Sequence, residues 1–232
     1  YAREHTVLYK ARGEAISKSS GEILAFLDVD DWWNEDKLER QIPLFQDDKV
    51  GLVYSNFYLF YETSKKKKIF NKKNYKSGYI FKNLLKRYNI GILTVLIRKT
   101  AYNSTSGFNN QLRFSGDFDL IVRLSSKWKF NFIQKPMAYY RIHGDNFYNK
   151  YNANNEIEIE ELEKWILSKE ITSDENLKPY LYYIKHRIIF LKTIGYINKG
   201  EFKKAIKNLI LLPSGFIKIK LILHIILPKI II

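Results

Sequence analysis

Three carboxylates, those of Asp28, Asp30 and Asp31, lie within four residues of one another, directly after an unbroken apolar run. Carboxylates this close repel one another, so unless solvent screens them they need a cation between them. A hard divalent ion such as Mg2+ or Mn2+ suits a site of oxygen ligands, and it would also bridge to the phosphates of a substrate. A solvated acidic turn that caps the following helix is the alternative, and the residues alone leave both interpretations open.

The elements next to this cluster predict a parallel α/β sheet. The apolar run Ile23–Leu27 shows no alternation, which predicts a strand covered on both faces. Ligands of open parallel sheets bind beyond the carboxyl ends of the strands, which is where Asp28 lies. Asn34 is a candidate N-cap for the next helix. Its apolar residues recur at helical spacing, at Leu38, Ile42 and Phe45.

The rest of the chain predicts an α/β unit over residues 1–146 and a helical C-terminal region over residues 147–232. Further strands are predicted at residues 50–54, 92–97, 130–133 and 138–142. Helices are predicted at residues 79–87, after a possible cap at Ser115, and at 156–168, 176–194 and 200–212. The run Lys65–Lys68 predicts a hairpin tip or loop. An apolar basic tail follows the last helix from Gly215 to Ile232.

Composition narrows the class of protein. Hydrophobic residues make up 46% of the 232 residues, enough to bury a core. The absence of cysteine excludes disulfide scaffolds, thiolate zinc sites and cysteine nucleophiles, and it is compatible with a reducing cytosol. The formal net charge of +15 indicates an anionic partner. No nucleic-acid recognition motif accompanies the cations, so the expected partner is a phosphorylated ligand or a phospholipid surface.

The sequence around the acidic cluster carries the motifs of a known family. Ala11-Arg12 and Gly21-Glu22 are followed by Leu24–Trp32, which contains a D-x-D pattern, and then by Lys37–Gln41. This combination resembles the family 2 glycosyltransferases. The resemblance implies the GT-A fold, a Rossmann-like α/β domain with a mostly parallel sheet.

The same resemblance implies roles for the acidic cluster and for Arg12. Asp28 and Asp30 would contact the nucleotide of a nucleotide-sugar donor, and Asp30 would hold Mg2+ or Mn2+ on the donor diphosphate. Asp31 is a neighbour that would share the donor site. Arg12 matches an arginine that faces the nucleotide, although Gly13 replaces the asparagine that usually follows it.

A second acidic segment resembles the acceptor side of the same family. It comprises residues 106–109 and 115–124, and Asp117 matches the catalytic base, with Gly116 at a position where glutamate is common. Inverting sugar transfer is a direct displacement at the anomeric carbon, so the acceptor hydroxyl must lose its proton as it attacks. Asp119 lies about 200° from Asp117 around a helix, so it is expected to be structural.

The end of the α/β unit also matches the family. Residues 141–146 resemble its closing motif, which implies that His143 lies near the metal or the diphosphate. The family pattern normally begins with a strand bearing a Pro-x-Tyr-Asn-type motif, a helix and a second strand. These features are not found in this sequence, so we expect a GT-A domain that lacks its first strands.

These features predict a metal-dependent, inverting glycosyltransferase. It would move a sugar from a nucleotide-sugar donor to a glycan or lipid-linked acceptor in cell-surface polysaccharide synthesis. The alternative is a non-catalytic, truncated remnant that binds a membrane or a partner protein. The tail segment Phe216–Leu227 predicts either a core segment or an interfacial helix on anionic lipid. We therefore expect a cytoplasmic protein that is peripheral at the inner face of the cell membrane.

Overall fold

The structure is a computed structural model of the chain, and it describes residues 8–71, 75–110, 112, 115–143, 160, 163–164 and 178–213. The chain divides into two compact units, residues 1–144 and 145–232, and each is described by itself. The first unit contains the following elements in chain order: α1 (Leu8–Ser17), β1 (Ile23–Ala25), β2 (Trp32–Trp33), α2 (Lys37–Gln41), β3 (Val50–Tyr61), β4 (Lys66–Ile69), α3 (Phe81–Lys86), β5 (Leu96–Arg98), α4 (Lys99–Asn103), α5 (Gly116–Lys127) and β6 (Lys129–Ile142). Two 3-10 turns, at Ile42–Phe45 and Ile92–Thr94, complete the list.

One sheet organises the first unit. Its strand order is β1-β5-β3-β6-β2, and β4 pairs with β3. The two longest strands, β3 and β6, run parallel, while every other pairing among the described strands is antiparallel. The α/β class is confirmed, and the sheet is mixed where a mostly parallel one was expected. The difference arises because short strands such as β2 and β5 run back against the two long ones.

The core lies between α5 and the sheet. Leu120, Ile121 and Leu124 share one face of α5 and are fully buried. They belong to a cluster that also contains, from the strands, Leu24, Leu52, Tyr54, Ile97 and Phe130. Burying each of these α5 side chains contributes about 1.5–3 kcal/mol, so α5 is fixed firmly on the sheet.

The helix α2 forms where the periodicity predicts it, but the side that faces the core lies about 100° around the helix from the predicted one. Leu38 and Ile42 are 41% and 49% exposed, whereas Lys37 and Gln41 are fully buried. The helix is only five residues long, so the polar side chains that find room inside the unit decide which side faces the core. Asn34 does not cap it, since Asp36 occupies the cap position, and the Asn34 amide nitrogen donates a hydrogen bond to the Pro136 carbonyl, 2.9 Å away.

Four strand predictions also need correction. The predicted strands at 130–133 and 138–142 form one strand, β6. The strand can continue through Pro136 because this residue pairs with Asn56 at an irregularity in the register, where no backbone N–H donor is needed. The predicted strand at 92–97 is a 3-10 turn followed by β5. β1 ends at Ala25, and Leu27 beyond it is 46% exposed, so the apolar run is not covered on both faces.

The described part of the second unit contains two helices, α6 (Lys178–Asn198) and α7 (Phe202–Leu211). They pack through Leu209 and Leu212 against Ile189, Phe190, Ile194 and Ile197. Gly200 joins them with a φ of +72°, a left-handed conformation that favours glycine. The helix predicted at 156–168 lies largely outside the described residues, and the tail from Gly215 to Ile232 lies wholly outside them. No helix in the described part of the chain is long and apolar enough to span a bilayer.

Candidate active site

The acidic turn after β1 is held from one side by α1. Arg12 on α1 donates a hydrogen bond to Asp28, with its Nη2 2.5 Å from the Asp28 Oδ1. The Arg12 side chain is only 12% exposed, so this ion pair is partly shielded from solvent. The backbone N–H of Asp31 donates to the Asp28 carbonyl at 3.1 Å, which closes the turn between them. The structure thus joins two of the predicted donor residues, Arg12 and Asp28.

The same turn is held from the other side by β6. The Nε2 of His143 lies 3.0 Å from the Oδ2 of Asp30, across 113 residues of sequence. β2 begins directly after the acidic turn and pairs with β6, Trp32 opposite Tyr139, and this pairing brings the end of β6 to the aspartates. The His143 and Asp30 side chains are 20% and 37% exposed, respectively, so solvent or a ligand can reach them.

Asp31 faces inward and contacts the backbone of β6. Its Oδ1 accepts a hydrogen bond from the backbone N–H of Arg141 at 2.9 Å, and the residue is 9% exposed. The pKa of Asp31 is raised to about 7, chiefly by burial and also by the neighbouring carboxylates of Asp30 and Asp28, while the hydrogen bond from Arg141 lowers it. Asp31 therefore connects the acidic turn to the strand that carries His143.

Arg141 is a site residue that the sequence-based assignment did not include. Its Nε donates to the Asp30 carbonyl at 2.8 Å and its Nη1 to the Glu62 carboxylate at 3.2 Å. The guanidinium also lies 5.3 Å from the centre of the Trp32 ring. Its position two residues before His143, on the same side of a strand, is the signal that could have identified it.

Asp117 lies in the first turn of α5, half-buried. Its Oδ1 accepts a hydrogen bond from the backbone N–H of Phe118 at 2.8 Å, and the Tyr9 hydroxyl lies 3.5 Å away. Tyr9 is three residues before Arg12 on α1, so one helix contacts both the donor-side turn and the candidate base. Asp119 faces elsewhere, since it pairs with Arg123 at 2.5 Å and is buried.

The described residues contain no group of three or more histidine, aspartate or glutamate side chains that could hold a metal ion by themselves. What the site offers is the pair Asp30 and His143, one carboxylate and one imidazole. Mg2+ is commonly held by one or two carboxylates together with substrate phosphates, so a pair of protein ligands is compatible with an ion that arrives with a diphosphate.

Comparison with known proteins finds similarity to one family over the first part of the chain. The family model for glycosyl transferase family 2 matches residues 2–103. The Escherichia coli UDP-Glc:alpha-D-GlcNAc-diphosphoundecaprenol beta-1,3-glucosyltransferase WfgD is 35% identical over 96 residues, which cover 41% of this chain and 36% of that protein. The Erwinia amylovora amylovoran biosynthesis glycosyltransferase AmsB is 26% identical over 138 residues, 57% of this chain and 46% of that protein. The chain thus matches less than half the length of these relatives.

A solved structure supports the fold. Staphylococcus aureus TarS, residues 1–349 in complex with UDP-GlcNAc, superposes with a TM-score of 0.56 over 90% of this chain and 62% of that one, at 13% identity. At that identity the likeness concerns the fold alone. The sequence matches to polysaccharide-synthesis enzymes and the shared α/β architecture agree with the motifs around Asp28 and Asp30. Residues 2–103 are therefore similar to glycosyl transferase family 2, and the chain has the GT-A fold.

Proposed function

We propose that the chain transfers a sugar, with inversion, from a nucleotide-sugar donor to a glycan or lipid-linked acceptor in cell-surface polysaccharide synthesis. The observation that carries this proposal is the convergence of Arg12–Asp28 and Asp30–His143 on one turn after β1. The similarity of residues 2–103 to glycosyl transferase family 2 supports a sugar transferase. The name of WfgD gives a UDP-sugar donor and a diphosphate-linked lipid acceptor for that relative, and we extend both classes of substrate to this chain.

Asp30 and His143 fit a divalent metal ion. A carboxylate oxygen and an imidazole nitrogen would be the two protein ligands of an ion that binds together with the donor diphosphate. The Asp30 Oδ2 and the His143 Nε2 are 3.0 Å apart, and both side chains are partly exposed. A mixed oxygen and nitrogen pair suits Mn2+ as well as Mg2+. When bound, such an ion would stabilise the charge of the departing nucleotide diphosphate.

Asp117 is the proposed catalytic base. In this proposal its carboxylate takes the proton of the acceptor hydroxyl during attack on the anomeric carbon. The first turn of a helix favours a negative charge, and the Phe118 N–H hydrogen bond favours it further. The carboxylate therefore starts in the ionised form that a base requires.

Substitution of Asp30 tests the donor site. We expect Asp30→Ala to abolish the increase in UDP affinity that Mn2+ gives, because it removes one of the two metal ligands. Isothermal titration of the full chain with UDP, with and without Mn2+, measures this. Asp48→Ala is the matched control, since Asp48 is an exposed acid next to β3 and outside the site. Equal Mn2+-dependent affinity in Asp30→Ala and the wild type would rule out this site.

The alternative function, a non-catalytic remnant that binds a membrane, is favoured by one observation. Lys65–Lys68 are exposed on the β3–β4 hairpin, and none of them forms an ion pair within the described part of the chain. Each lysine near an anionic lipid surface contributes about 1 kcal/mol. Peripheral attachment at the inner face of the cell membrane is therefore part of the proposal for an active enzyme as well. Binding of UDP that depends on Mn2+ separates the two functions, because a remnant would lack it.

A further inference from the structure

The ring of Tyr9 occupies the space of a side chain at Gly116. A Cβ at Gly116 would lie 2.5 Å from the Tyr9 ring carbons, closer than real Cβ contacts come. Gly116 has ordinary helical backbone, so it is the ring and not the backbone that excludes a larger residue. Tyr9 is 4% exposed and packs on Phe108, with the ring centres 5.4 Å apart. This fit fixes the first turn of α5 against α1.

The hydroxyl of Tyr9 reaches the N-terminus of α5, where the usual cap is not made. Ser115 occupies the cap position but makes no side-chain hydrogen bond to the helix, and its buried Oγ finds no partner among the described residues. The first N–H groups of a helix need acceptors from outside it. The Tyr9 oxygen lies 3.5 Å from the Asp117 Oδ1, and the backbone N–H groups of Asp117 and Gly116 are near enough to oppose the rise of the Tyr9 pKa.

Tyr9 keeps its proton in this position. Burial raises the pKa of Tyr9 above its ordinary value, and the negative charge of Asp117 raises it further, outweighing Arg12 and the two backbone N–H groups. The hydroxyl can therefore accept from the helix N–H groups and still donate its proton towards Asp117. A hydrogen bond donated to a carboxylate favours its charged form, which is the form that accepts a proton.

We propose that Tyr9 is the positioning residue of Asp117. Its ring occupies the space that a side chain at Gly116 would fill, and its hydroxyl caps α5 from α1 and orients the Asp117 carboxylate. The proposal rests on the proposed function, in which Asp117 is the base. It adds that the same helix sets both sides of the reaction, since Arg12, one turn after Tyr9, pairs with Asp28.

Tyr9→Phe tests the proposal, because it keeps the ring and removes only the hydroxyl. We expect turnover to fall about tenfold with the donor KM unchanged, and the acidic limb of the pH profile of kcat to move to higher pH. The second readout does not need activity: the pKa of the Asp117 carboxyl, followed by 13C NMR of the full chain, should rise by about 0.5. A wild type without transferase activity would contradict the proposed function. The NMR titration would still decide the role of Tyr9.

Two further variants provide controls. Tyr75→Phe removes the hydroxyl of another buried tyrosine, which donates to the Asn89 carbonyl, and should leave the pH profile and the Asp117 pKa unchanged. Ser115→Ala should also leave the pH profile and the Asp117 pKa unchanged, since Tyr9 and not Ser115 provides the cap. An unchanged Asp117 pKa in Tyr9→Phe, or a shift as large in Ser115→Ala, would overturn the proposal.

A measurement on the wild type covers the case in which Tyr9→Phe does not fold. A buried hydroxyl that is held by hydrogen bonds exchanges its proton slowly with water. The Tyr9 hydroxyl proton should therefore appear in the NMR spectrum with a nuclear Overhauser contact to the amide proton of Gly116 or Asp117. If the Tyr9 proton exchanges as fast as that of the exposed Tyr79, the cap is absent and the proposal fails.

Discussion

Replacing Lys37 by methionine is expected to stabilise the first unit, by more at pH 6 than at pH 10.5. Lys37 is fully buried in α2, and its ammonium nitrogen finds no hydrogen-bond partner among the described residues. Its nearest favourable contact is the Trp33 ring, whose centre lies 4.5 Å from the nitrogen. Burial lowers the pKa of Lys37 to about 7. Methionine keeps an unbranched chain of similar length without the charge.

The sign and size of the effect follow from proton linkage. Between pH 7 and 10.5 the unfolded chain holds a proton at Lys37 that the folded chain has lost, so the free energy of unfolding rises with pH in this range. The difference between the two pKa values corresponds to about 5 kcal/mol. The contact with Trp33 offsets about 1–2 kcal/mol of this burial cost. We therefore expect Lys37→Met to gain about 3 kcal/mol below pH 7 and almost nothing at pH 10.5.

Urea unfolding followed by tryptophan fluorescence at pH 6, 8 and 10.5 measures this difference. Lys68→Met is the matched control, because Lys68 is an exposed lysine on β4 in the same unit, and its effect should not change with pH. A Lys37→Met protein that is less stable than the wild type at pH 6 would refute the reasoning. So would a gain in stability that is the same at every pH, because the cost would then have a cause other than a buried ammonium group.

Two further predictions concern the acceptor and the membrane. Asp117→Asn should lower turnover by about 100-fold while UDP affinity measured by calorimetry is retained, because the amide keeps the shape but cannot take a proton; near-normal turnover would place the base elsewhere. The full chain should pellet with anionic vesicles at low salt, and the double variant Lys66→Glu/Lys68→Glu should pellet less than Lys203→Glu/Lys207→Glu, which changes the same charge on α7. Equal pelleting of the two variants would exclude the β3–β4 hairpin as the contact.

The parts of the site that lie close together in sequence could be predicted from it. The acidic turn follows directly on β1, and Arg12 lies 16 residues before Asp28, so both belong to the stretch of motifs on which the resemblance rests. The contact between Asp30 and His143 crosses 113 residues, and only the resemblance indicated it. The role of Tyr9 could not be predicted, because it depends on the space above Gly116, 107 residues further along the chain.

The buried side of α2 shows why periodicity failed in detail. A pattern of apolar residues predicts the core side only when polar side chains have no better place inside. Gln41 has one, since its amide lies 3.0 Å from the Thr94 carbonyl and 3.4 Å from the Val53 carbonyl. These hydrogen bonds join α2 to the turn before β5 and to β3. Lys37 lies one turn earlier on the same side of α2, so it is buried together with Gln41. Its ammonium nitrogen lies over the Trp33 ring.

The first helix links the two halves of the candidate reaction. Residues three apart on a helix lie on the same side, about one turn from each other, and on α1 these residues are Tyr9 and Arg12. Arg12 fixes the donor-side carboxylate of Asp28, and Tyr9 meets the first turn of α5, where Asp117 lies. Any shift of α1 would therefore move the arginine and the tyrosine together. A substitution that loosens α1 should disturb donor binding and turnover in the same variant, whereas one that loosens only α5 should disturb turnover alone.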